Sequence, residues 1–276
     1  MKYGTVHHEG RDRVAVRASD GWMLTSSTSM LDVIAHGKAG PARRKLVDPE
    51  FLAPYRPPTI FGIGLNYYDT VREMGWDVPE RPYLFPKLSS SVCGPSDSIV
   101  VDENVTTRAD WEGELAVIIG KRTRGVAPED AMGSVFGYTA ANDVSARDVQ
   151  ADDGQWVRGK GLDTFCPLGP VVVTADEIED PRNVSIRTWL NGSVVQDGST
   201  ADMIFDVASL ISYCSTWFTL EPGDVILTGT PSGCGDFRDP RIALIPGDVV
   251  EVEVAGIGRL RNPVTAPASA TSRSVP

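Results

Sequence analysis

Two glutamates separated by one residue open an apolar run at Asp110-Trp-Glu-Gly-Glu-Leu-Ala-Val-Ile-Ile119. On a strand, residues two apart share a face, so Glu112 and Glu114 are expected side by side, with Ala116 and Ile118 continuing that face. Carboxylates so placed repel one another and are costly to bury unpaired. A divalent cation answers both problems, because hard oxygen ligands suit Mg2+, Mn2+ or Ca2+. The plainer alternative is a solvated, charged strand end.

Three further segments carry polar groups at usable spacings. In Asn142-Asp-Val-Ser-Ala-Arg-Asp-Val-Gln150, a helix from Val144 would align Asp143, Arg147 and Gln150 on one face, with Ser145 and Asp148 as a capping box. That face offers a metal ligand, a cation and an amide, or simply a capped surface helix with an Asp–Arg pair. In Arg158-Gly-Lys-Gly-Leu-Asp-Thr-Phe165, two glycines flank Lys160 and let backbone approach a ligand; the alternative is a turn with a solvated lysine. Thr228-Gly-Thr-Pro-Ser-Gly-Cys-Gly235 follows an apolar run, and its amides, including that of Gly229, suit a carboxylate or phosphate. It lacks the Gly-Lys-Ser/Thr of a nucleotide-binding loop. Phe61-Gly-Ile-Gly-Leu-Asn66 fails as a dinucleotide loop, because Tyr67 stands where a third glycine is required.

Other chemistries are disfavoured by what the chain lacks. Its three histidines are His7, His8 and His36, so a Ser–His or Cys–His mechanism would need one from the N-terminal segment. No Gly-x-Ser-x-Gly elbow is present. The four cysteines, Cys93, Cys166, Cys214 and Cys234, form no Cys-x-x-Cys pair, which argues against a zinc ribbon and for free thiols in a reducing cytoplasm.

The elements that must position these groups read as mostly β with a few helices. Residues 1–55 form an expected small β-rich unit: Arg13–Arg17 alternates as a strand, Asp20-Gly21 marks a hairpin, and Ser29–Gly37 reads as a short helix ended by glycine. Phe51–Pro58, with three prolines, reads as a linker. A main domain follows to Val264, with short apolar runs split by turns and helices expected over Tyr68–Met74, Val144–Gln150 and Ala201–Cys214. Pro-Gly-Asp occurs at Pro222–Asp224 and Pro246–Asp248, each a turn feeding an apolar run. Residues 265–276 read as a disordered tail.

With 276 residues the chain can bury one large core plus an accessory unit. A net charge of −11 gives no support to nucleic-acid or anionic-membrane binding. No apolar run approaches a membrane span, and the first residues show no signal-peptide core.

Taken in order, GIGLNY, PKLSSSVCGP, DWEGELAVIIGK, GYTAANDVSARDVQ, GKGLDTFCPLGP, GDVILTGTPSGCG and PGDVVEVEV with GIGRLRNPV form a series spanning Phe61 to Val264. The series resembles the fumarylacetoacetate hydrolase family. The resemblance implies a mixed β-roll core, a small N-terminal β domain and a homodimer. It implies one divalent cation, Mg2+ first and Mn2+ or Ca2+ as alternatives, held by Glu112, Glu114 and Asp143. It implies a small anionic 2-oxo acid as substrate, with Arg147, Gln150, Lys160 and Thr230 touching substrate or oxygens on the metal, and Lys87 as a weaker contact.

The chain departs from the family's pattern at one place. Many hydrolase and decarboxylase members read His-x-x-Glu on a segment that closes over the site. Here Glu73 is kept, but Thr70 holds the histidine position. A threonine hydroxyl is no base near neutral pH, and losing a positioned base costs about 10²–10⁴-fold. The favoured expectation is therefore a metal-dependent tautomerase or decarboxylase working through an enolate, with Lys160 or Glu73 moving the proton. The alternatives are a hydrolase of a 2,4-dioxo acid in which Glu73 activates water, a dehydratase of a 2-keto-3-deoxy sugar acid, and a non-catalytic binding relative.

Overall fold

The computed structural model describes residues 1–268, in which nineteen short strands and six helices build mixed sheets. The largest sheet runs through the strand Gly113–Ile119, which pairs antiparallel with Val135–Asn142 on one side and with Val225–Leu227 on the other. Val225–Leu227 in turn pairs parallel with Ile60–Gly64. A second sheet of five strands contains Ser185–Leu190, Val249–Val254 and Gly258–Thr265.

Alternation along Gly113–Ile119 explains its place at the centre. Leu115, Val117 and Ile119 join a core with Ile186, Val252 and Leu260 of the second sheet and with the helix Val207–Trp217. Ala116 and Ile118 face the opposite way, into a core with Val33 and Ile34 of the helix Met30–His36. A strand buried on both faces must be apolar along its length, which accounts for the unbroken Leu115–Ile119 run. Ile118→Ala is expected to cost about 2–5 kcal/mol, since its side chain has no exposed surface, and denaturant unfolding would measure it.

The N-terminal segment is continuous with the large sheet, because Lys2–His8 pairs with Cys166–Thr174 through Lys2↔Val173 and Tyr3↔Val172. The helix near Ser29 forms as expected, with the Ser29 hydroxyl accepting from the Asp32 amide and Gly37 left-handed at the end. Tyr68–Met74 is also helical. Both Pro-Gly-Asp turns form, with Gly223 and Gly247 at positive φ and the aspartates capping them.

Other boundaries differ. The expected linker contains the strand Phe51–Leu52, which pairs with Thr5 and Val6. The expected helix over Ala201–Cys214 divides into a short 3-10 turn, Thr200–Asp202, and the helix Val207–Trp217, because the Asp206 carboxylate caps the Ser209 amide and starts the helix there. The expected tail begins inside a strand, since Gly258–Thr265 includes Thr265, and residues 269–276 lie outside the described residues.

Candidate active site

The carboxylate cluster follows from strand pairing. Gly113 lies opposite Asn142, and the ladder extends one step further as the Asp143 amide donates to the Glu112 carbonyl at 2.8 Å. This sets Asp143 beside Glu112, while the period of two keeps Glu114 on the same face. One carboxylate oxygen from each of Glu112, Glu114 and Asp143 lies within 4.8 Å of the others, and all three residues are buried. The solvated strand end is thereby overturned.

Two elements then bring cations to the cluster. The bridge Ser145–Ala146 pairs with Ala109–Asp110, which carries Arg147 to Asp110 and Glu112 at 2.9 and 2.7 Å. The short helix Val157–Lys160 approaches the same bridge closely. A Cβ on Gly159 would meet the Ala146 carbonyl and the Gln150 amide at 3.0 Å each, so glycine is what permits that approach. Lys160 is consequently buried, not solvated. Its ammonium lies 2.8 Å from Glu112 Oε2 and 2.7 Å from Asp143 Oδ2, and 4.9 Å from the centre of the Phe85 ring.

The electrostatics are uneven across the three acids. Burial pushes the Glu114 carboxyl well above the usual range, and the carboxylates of Asp143 and Glu112 push it further. Burial acts on Asp143 too, but the ammoniums of Lys160 and Lys87 outweigh it and hold this carboxyl below its ordinary value. Burial would lower the Lys160 pKa, yet Asp143 and Glu112 raise it above the ordinary lysine value. Glu114 Oε2 accepts from the Gly229 amide at 2.8 Å, while its buried Oε1 has no hydrogen-bond partner among the described residues. An orphaned carboxylate oxygen beside two further carboxylates is a donor set that fits a hard divalent cation.

A cavity of about 240 Å³ opens on this cluster. Glu112, Arg147, Gln150, Lys160, Thr70 and Thr230 reach its wall, and Trp76, Trp156, Met74 and Phe237 supply apolar surface. Glu114 and Asp143 are fully buried and do not line it.

Several expected positions are corrected. The helix begins at Arg147, not Val144, so Asp143 and Arg147 are not helical neighbours and share no ion pair. The capping box does not form: the Ser145 hydroxyl is spent on the Asp143 carbonyl and Glu112, and Asp148 accepts from Thr106 and Thr107. Lys87 lies behind the cluster, 2.6 Å from Asp143 Oδ1, and does not reach the cavity. The Gly229 amide serves Glu114, leaving nothing for a substrate. Glu73 is exposed, accepts from the Gly233 amide at 2.9 Å, and is absent from the cavity wall. Thr70 is buried and donates its hydroxyl to the Thr230 carbonyl at 2.8 Å, so it ties the Tyr68–Met74 helix to the loop that carries Thr230.

Asp110 was not singled out from its sequence. Its buried carboxylate holds Arg147 and accepts from the amides of Gly235 and Asp236, which joins three segments around the cavity. Its place two residues before Glu112, on the same strand parity, was the available signal.

The family profile described as fumarylacetoacetate (FAA) hydrolase C-terminal matches residues 59–265. A mitochondrial oxaloacetate tautomerase of Xenopus laevis is 49% identical over 216 residues, covering 77% of this chain and 67% of its own length. Among solved structures, a fumarylacetoacetate hydrolase from Exiguobacterium antarcticum aligns with a TM-score of 0.89 and 41% identity, over 96% of this chain and 99% of that one. A 5-carboxymethyl-2-hydroxymuconate delta-isomerase from Mycobacterium smegmatis aligns with a TM-score of 0.82 and 36% identity, over 97% and 100%.

Proposed function

The chain belongs to the fumarylacetoacetate hydrolase family and is an enzyme, and from that premise we propose that it is a tautomerase of a small 2-oxo acid, interconverting the keto and enol forms. The observation that carries this reading is Lys160: a buried ammonium on the cavity wall, bonded to two of three clustered carboxylates, in a cavity whose wall contains no histidine.

Glu112, Glu114 and Asp143 would hold a divalent cation, Mg2+ by preference, which supplies Lewis acidity toward the charge that develops on the 2-oxo oxygen. In the enol-to-keto direction the enol hydroxyl releases its proton to water while Lys160 gives one to the carbon next to the carbonyl, and water then returns a proton to the lysine; the keto-to-enol direction runs the same transfers backwards. Arg147, held by Asp110 and Glu112, fixes the wall on which the substrate carboxylate rests, and Gln150 presents its amide beside it. Lys87 keeps Asp143 oriented. Trp76, Trp156 and Phe237 limit water at the reacting carbon.

Hydrolysis needs a group that activates water. Glu73 was its expected base, and it lies off the cavity wall, bonded to a backbone amide. Thr70 acts as a structural tie, so Thr70→Val is expected to lower kcat/KM by no more than about tenfold, the worth of one ordinary hydrogen bond. Steady-state kinetics checks this.

The reading is tested by giving metal-stripped protein the enol form of oxaloacetate, with and without Mg2+, and following enol absorbance and CO2 release. Metal-dependent enol loss without carbon–carbon cleavage is the expected result. Cleavage of an acylpyruvate at comparable rate would replace this reading with the hydrolase. A homodimer and a cytoplasmic setting complete the proposal, the latter in keeping with four free, buried cysteines; sedimentation and fractionation test them.

A further inference from the structure

One cation at the cavity takes no part in the enol–keto interconversion. Arg108 lines the cavity with its side chain one-third exposed, whereas Arg147 is nearly enclosed. Its Nε and Nη2 form a fork on Asp236, at 2.9 Å and at 2.6 and 2.8 Å. Its Nη1 takes no hydrogen-bond partner among the described residues. Arg241 also turns toward Asp236, with Nε 4.0 Å from Oδ1 and 3.2 Å from the backbone carbonyl. Two guanidiniums therefore share the Asp236 carboxylate at this end of the site. Arg108 and Asp236 also form part of the wall of a neighbouring cavity of about 180 Å³, so the pair divides two spaces.

We propose that Arg108, held in place by Asp236, is the specificity-determining residue that receives a second carboxylate, so that the enzyme selects 2-oxo dicarboxylates over 2-oxo monocarboxylates. This rests on the tautomerase reading for the identity of the inner end, where the 2-oxo acid group sits. Asp236 occupies one edge of the guanidinium and fixes its plane, and the edge that includes Nη1 remains for a ligand. A methyl group at that place would leave Nη1 without a hydrogen-bond partner.

The test uses malate and 2-hydroxybutyrate, which cannot enolise in this way and differ only by carboxylate against methyl at the far end. Calorimetry on the Mg2+-loaded protein is expected to show malate binding at least about tenfold tighter. In Arg108→Gln the ratio is expected to fall to about one, with 2-hydroxybutyrate affinity kept within about twofold; Arg108→Lys keeps part of the preference. A wild-type ratio near one overturns the proposal even if the variants fail to fold, and so does a ratio that survives in folded Arg108→Gln. Failure of the tautomerase reading would look different: no acceleration of enol-oxaloacetate conversion by the wild type, with the malate preference and its dependence on Arg108 intact.

Discussion

Replacing Glu114 with glutamine is expected to weaken Mg2+ binding by at least about 10²-fold and to lower the rate of enol conversion by at least about 10³-fold. The exchange keeps the shape and an acceptor for the Gly229 amide but removes one of three clustered charges. A folding defect would give the same loss of activity by another route, and stability separates the two. Glu114 is fully buried, and its carboxyl is driven upward by burial and by two neighbouring carboxylates, so its charge contributes no stability to the metal-free fold. Metal-free Glu114→Gln is therefore expected to melt no lower than the metal-free wild type. Calorimetry, thermal unfolding and the enol assay together check this, and a large fall in melting temperature would mean that Glu114 serves the fold instead of a cation.

Lys160→Met is expected to lower kcat by about 10²–10⁴-fold, the usual worth of a positioned acid, but its effect on metal has the opposite sign. The ammonium bonds to Glu112 and Asp143, two of the residues that would hold the cation. Without it, Mg2+ binds at least as tightly as in the wild type. The metal-free variant leaves buried carboxylates without their partner and is expected to lose about 3 kcal/mol or more. Mg2+ then restores much of that loss, because a ligand bound only by the folded state stabilises it by mass action. Thermal unfolding with and without Mg2+ reads both effects. A Lys160→Met protein that keeps full activity would remove lysine from the reaction.

The two glutamates were legible because a strand repeats every two residues, and Glu112 and Glu114 need nothing more than that repeat to share a face. Asp143 could be joined to them only through the family resemblance, since its position depends on a ladder that runs one step beyond Gly113↔Asn142. Pattern reading missed the start of the neighbouring helix for a related reason. Ser145 and Ala146 are consumed by a bridge to Ala109 and Asp110, a contact across more than thirty residues that local spacing does not reveal. The burial of Lys160 was equally hidden, because it depends on the close approach allowed by Gly159. Glu73 and Gly229 show the reverse error. Both have the chemistry for a site, and the fold gives Glu73 to the amide of Gly233 and the amide of Gly229 to Glu114.

If three buried carboxylates and Lys160 together make a metal-dependent enol–keto catalyst, titrating metal-stripped wild-type protein with Mg2+ while following the decay of enol-oxaloacetate reads it directly. The expected result is an acceleration that is absent in chelator, saturates with one cation per chain, and is missing from Glu114→Gln at the same Mg2+ concentration. Rapid enol decay catalysed by the protein in excess chelator, or a Glu114→Gln titration that matches the wild type, would contradict it.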